Sequence, residues 1–102
     1  MNLAEEIKKR RAAELSQEEI GRLVIEMADY VERMFYSTTD DQIYFGFDHP
    51  SLKRWYYPST GDIRESVKEI VKWFFDVNGF TVEPHTSGSS SFPLKGYIVS
   101  LP

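Results

Sequence analysis

The chain has no cysteine. That removes disulfides, thiolate nucleophiles and thiolate-bound zinc together. It also has no long apolar run, so no membrane span is expected. Positive charge is not in excess: 12 Lys and Arg stand against 16 Asp and Glu, a net charge of −4. Proteins that coat nucleic acid nonspecifically carry the opposite balance. Residues 1–6, Met-Asn-Leu-Ala-Glu-Glu, lack the apolar run of a secretory signal, so a cytoplasmic location is expected. Catalytic and metal motifs are missing as well. There is no His-Glu-x-x-His, EF-hand loop, Gly-x-Ser-x-Gly elbow or Gly-x-x-x-x-Gly-Lys cradle. His49 and His85 read as loop residues, and the serines of 87–91 lack an oriented base. The expectation is a non-enzymatic protein with no catalytic residues, no metal and no cofactor.

What is present is enough for one core. The 102 residues are 41% apolar, which excludes a disordered chain and fits one domain over 1–102. Residues 3–14 read as a short charged helix containing Lys8-Lys9-Arg10-Arg11. Ser16-x-x-Glu19 is a capping box, and Leu15 with Ile20 has the spacing of a hydrophobic staple. The core then spans 16–101, with residues 1–15 as an N-terminal helix. Whether that helix is continuous with the next stays open.

A helix is expected over 16–35, with Ile20, Val24, Met27, Val31 and Met34 on one stripe and Leu23 and Phe35 beside it. Ile43–Phe47 reads as a strand with Ile43, Phe45 and Phe47 on one face. Residues 51–57 form a short helix, and Ser59-Thr60-Gly61-Asp62 a turn. A further helix covers 62–78, with Ile63, Val67, Ile70, Phe74 and Val77 inward, and stops at Asn78-Gly79-Phe80. Strands at 80–83 and 94–101 enclose a loop over 84–93. The fold class expected is α+β, two long amphipathic helices packed on a small antiparallel sheet, in the order α-α-β-(short α)-α-β-β.

Aromatic residues make up 15% of the chain, more than one small core needs. Lys53-Arg54-Trp55-Tyr56-Tyr57 joins three consecutive rings to two cations, the residue types enriched at binding hot spots. Phe75 lies off the expected stripe, beside Arg64, Lys68 and Lys72. Lys53, Arg54, Trp55, Tyr56, Tyr57 and Phe75 are therefore the candidate partner-binding residues. The i, i+4, i+8 series Arg64, Lys68 and Lys72 is the alternative, a DNA-binding stripe.

Two resemblances extend this reading. The element order over 16–101 resembles the winged helix family, which implies a DNA-binding regulator with 62–78 as recognition helix and 84–93 as wing. The ending, helix 62–78 then Gly79-Phe80-Thr81-Val82 and Tyr97-Ile98-Val99-Ser100, is similar to small accessory proteins of bacteriophages. That likeness implies a short acidic protein that binds and disables a host component. The expected partner is a host protein that is basic or handles nucleic acid, including CRISPR-type defence factors, met in the host cytoplasm. Direct nucleic-acid contact is the lesser alternative, and a homo-oligomer is compatible with the sequence.

Overall fold

The computed structural model of the chain describes residues 2–5 and 16–102. The helix expected over 3–14 and the staple residue Leu15 fall outside the described residues, apart from Leu3–Glu5. Helix α1, Gln17–Ser37, begins where its cap demands: the Ser16 hydroxyl accepts the Glu19 amide at 3.1 Å. Only half of the capping box forms, because the Glu19 carboxylate turns instead to Arg54 at 3.0 Å. Leu23, Met27 and Val31 are the buried line of α1, with Val24, Tyr30, Met34 and Phe35 packed at its margins.

Strand β1, Gln42–Gly46, alternates as its sequence predicts, and Ile43, Phe45 and Phe47 are all buried. A 3-10 helix, Pro50–Trp55, follows. Two short strands, β2 (Tyr56–Tyr57) and β3 (Asp62–Ile63), pair antiparallel across the 58–61 turn. Gly61 sits there at φ 68°, and a Cβ on it would overlap the Pro93 carbonyl. Helix α2, Glu65–Val77, comes next, then β4, Thr81–Gly88, and β5, Pro93–Ser100. The three longer strands form one antiparallel sheet in the order β1-β5-β4. The helices cover one face of this sheet. Among the described residues no helix covers the other face.

Four expectations need correction. The inward line of α2 is Val67, Val71, Phe74 and Phe75; Ile70 is only half-buried and Val77 is exposed. The buried arc is turned because Phe75 fills the space over Phe45. Asp62 does not cap α2, which starts behind Arg64 with no side-chain cap. Residues 51–57 do not form one short helix, since Tyr56 and Tyr57 leave it as strand. Finally, 84–88 is strand and not loop. Proline is tolerated at position 84 because β4 is a sheet edge.

The helix stop reads as expected. Gly79 has φ 86°, Asn78 Nδ2 donates to the Phe74 carbonyl at 2.7 Å, and Phe80 folds back to stack on Phe35 at 5.7 Å. Phe75 is fully buried among Phe45, Phe74 and Phe80. Phe75→Ala should therefore lose about 3–5 kcal/mol, a large part of the roughly 5–15 kcal/mol typical of a domain. Urea unfolding reads this directly, and a midpoint equal to wild type would show that the ring is not part of the core.

Candidate protein-binding surfaces

The 3-10 helix divides the expected hot spot in two. Residues three apart eclipse in this helix, so Leu52 and Trp55 both point into the core. Trp55 is only 8% exposed and belongs to the core rather than to a contact surface. Lys53 and Arg54 point outward. Tyr56 is half-buried in β2, and Tyr57 is 44% exposed beside it. Phe75, the sixth candidate, is fully buried on α2 and is excluded as a contact. The surface that survives is Lys53, Arg54 and Tyr57. Arg54 lies 6.0 Å from the Trp55 ring centre and pairs with Glu19 of α1. Between α1 and the 3-10 helix runs a groove of about 480 Å³, lined among others by Glu19, Arg22, Glu26, Lys53 and Arg54, of both charge signs.

The proposed DNA-contact residues are not brought together as an open stripe. Arg64 occupies the position before α2 and is half-buried. Lys68 is drawn inward: its Nζ lies 2.8 Å from Asp62 Oδ1, 3.5 Å from Glu65 Oε2 and 5.6 Å from the Phe47 ring centre. Burial alone would lower the Lys68 pKa, but the hydrogen bond and charge of Asp62 outweigh it and raise the value. Asp62 moves the opposite way. Burial would raise it, but Lys68, the Ile63 amide and Lys95 together lower it. Lys68 is thus a structural cation. Of the three, only Lys72 is fully exposed, and Glu65, Glu69 and Asp76 are exposed on the same helix around Trp73.

His49 is not an exposed loop residue. Its Nδ1 accepts the Ser51 amide at 3.2 Å and lies 2.7 Å from the Ser51 hydroxyl, capping the 3-10 helix. Its ring packs against Tyr30 at 4.4 Å and Phe45 at 5.3 Å. Burial is the largest influence and lowers its pKa; Glu26 and Asp48 pull upward, Arg33 downward.

Two residues that the sequence reading passed over meet on the open face of the sheet. Tyr44 of β1 and His85 of β4 approach at 5.6 Å with their rings inclined by 75°. The signal was the outward position of Tyr44 in the alternating strand, together with glycines at 46 and 96. Those two are register partners on β1 and β5 and leave room for a ring to lie across them. A separate apolar hollow of about 450 Å³ lies between the ends of the two helices, with Phe35, Phe74, Phe80 and Leu101 among its walls.

Among the described residues no group of three or more His, Asp or Glu is placed to hold a metal ion, and no helix is long and apolar enough to cross a membrane. Comparison with known proteins supplies no relative: no family model, curated protein or solved structure matches the chain at a significant level.

The His49 geometry gives a pH dependence. Its folded-state pKa lies below the ordinary 6.5, so the unfolded chain takes the proton first. Stability should be complete above pH 6.5 and fall as pH drops from there through the folded value. His49→Asn, which keeps a capping acceptor, should flatten this slope in urea titrations between pH 7.5 and 5.5. An unchanged slope in that variant would remove His49 as its source.

Proposed function

We propose that the protein is a non-enzymatic, acidic binding protein whose partner is a basic protein, acting by stoichiometric occupation rather than turnover. The charge on the outward face of α2 carries this reading, as a field that steers a basic partner and not as the contact itself. Glu65, Glu69 and Asp76 stand in solvent around Trp73, which is 53% exposed, with Lys72 the one fully exposed cation on the helix. Such a face repels a phosphate backbone and attracts Lys and Arg. Helix α1 adds exposed Glu18, Glu26, Asp29 and Glu32, against exposed Arg22 and Arg33. Complementary potentials of this kind speed encounter and select partners. The resemblance of the chain's ending to phage accessory proteins makes the proposed partner a host factor that handles nucleic acid, including CRISPR-type defence factors.

A second reading, a winged-helix DNA-binding regulator using helix 62–78, is favoured by one observation. Helix α2 runs directly into the β4–β5 hairpin, the places that the recognition helix and wing take in the element order of that family. The acidic outward face of α2 speaks against it, because that is the face a recognition helix would turn to DNA.

The two readings separate by charge and salt. A partner recovered from the source cell's lysate and purified should bind in simple stoichiometry by calorimetry. The double change Glu69→Gln with Asp76→Asn should slow association several-fold at low salt and leave dissociation nearly unchanged. Mixed duplex DNA at micromolar protein and about 50 mM salt should show no anisotropy change. Saturable duplex binding under those conditions, or turnover of a substrate without any macromolecular partner, would overturn the proposal.

A further inference from the structure

We infer that the open face of the sheet is a docking site for an arginine-bearing segment of a basic protein partner. The inference rests on the binding reading above and gives it a surface and a chemistry. Strand register fixes which side chains point outward. Lys95 is the one Lys or Arg in β1, β4 and β5, and it is turned to the covered side, where it meets Asp62 at 3.6 Å. The three strands therefore offer no outward Lys or Arg to balance their own Glu83 or the flanking Asp40, Asp41 and Asp48.

Tyr44 supplies the aromatic floor. A Cβ on Gly96 would come within 3.0 Å of Tyr44 Cε2, and one on Gly46 within 3.1 Å of Cε1. The ring thus lies across the paired glycines and remains 36% exposed. His85 packs against it at 5.6 Å with the two rings inclined by 75°. Carboxylates bracket the ring. A Cβ on Gly46 would also overlap the Asp48 carboxylate, so that group sits beside the Tyr44 hydroxyl. On the opposite side a hollow of about 520 Å³ is lined by Asp40, Asp41, Gln42, Tyr44 and Ile98. Glu83 lies in the same cross-strand row as Tyr44 and Ile98.

A guanidinium suits this arrangement. It is planar, stacks on an aromatic face, is weakly hydrated and takes carboxylates in a two-pronged fashion. An ammonium matches only the charge. An anionic occupant meets carboxylates at both ends of the ring. Burial first, and the Asp48 charge second, raise the Tyr44 hydroxyl pKa, so the phenol stays protonated.

The test is an NMR titration of the whole protein with an eight-residue arginine peptide, and with an eight-residue lysine peptide, at low salt. Shifts should concentrate at residues 40–46 and 94–98, and the arginine peptide should bind at least threefold more tightly. Tyr44→Leu should weaken arginine-peptide binding roughly fivefold, within the range of an aromatic–cation contact. Tyr44→Phe should retain it, and Asp40→Asn with Asp41→Asn should weaken both peptides. Glu69→Gln with Asp76→Asn, on the other side of the molecule, should leave the shifted residues unchanged. Equal binding of the two peptides, shifts centred on α2, or indifference to Tyr44→Leu would overturn the inference. A recovered basic partner that binds Tyr44→Leu as tightly as wild type would overturn this site alone, whereas a partner that is acidic would remove the binding reading beneath it.

Discussion

Phe45 is fully buried on β1, and three other parts of the chain meet on its ring. Tyr30 of α1 approaches its edge at 5.9 Å, and Phe75 of α2 meets it at 5.4 Å. His49, which caps the 3-10 helix, stacks on it at 5.3 Å. Aromatic pairs at these distances add to the free energy of simple burial and restrict the angle of approach. Both helices and the 3-10 turn are thereby referred to one point on the sheet. Because all of them gather on the side to which Phe45 points, the opposite side of the three strands has no covering layer among the described residues. The open face with Tyr44 follows from the same alternation that buries Phe45.

The second constraint is ionic. Asp62 holds Lys68 at 2.8 Å and Lys95 at 3.6 Å, tying β3 to α2 and β5. Two of the four basic residues beyond residue 60 are thereby spent inside the structure. Among the described residues the exposed remainder of α2 is mostly acidic, and Lys95, the one Lys or Arg of the three strands, is held on the covered side of the sheet. Among the described residues the exposed surface is thus more acidic than the net charge of −4 suggests. That redistribution supports the proposed basic partner more strongly than the charge count does.

Periodic segments were legible in the sequence, and single contacts were not. The β1 alternation, the Asn78-Gly79-Phe80 stop and the antiparallel pairing of the last strands follow from local chemistry, as does the α1 stripe apart from its first turns, where Leu23 is buried in place of Ile20 and Val24. The fates of Trp55 and Phe75 do not. Each ring is apolar and could serve a core or a contact surface. What decides is the eclipsing of residues 52 and 55 in a 3-10 helix and the height of Phe75 above Phe45, both tertiary matters. Asp62 had the spacing of a cap, but a partly buried lysine competed for it and won. The strand through Pro84 was hidden because proline disfavours strands, except at an edge that only the sheet order reveals. Of the candidate contacts, Lys53, Arg54 and Tyr57 were visible from composition. Tyr44 was readable only as an outward strand residue until its two glycine neighbours were paired.

The most direct measurement is hydroxyl-radical footprinting of the protein alone and in complex with its recovered partner, read at its exposed aromatic side chains. Tyr44, Tyr57 and Trp73 each report a different surface: the sheet face, the 3-10 segment and the outer side of α2. The account predicts strong protection of Tyr44 on binding, with Trp73 little changed. Full reactivity of Tyr44 in the complex, with protection confined to Trp73 or Tyr57, would contradict it.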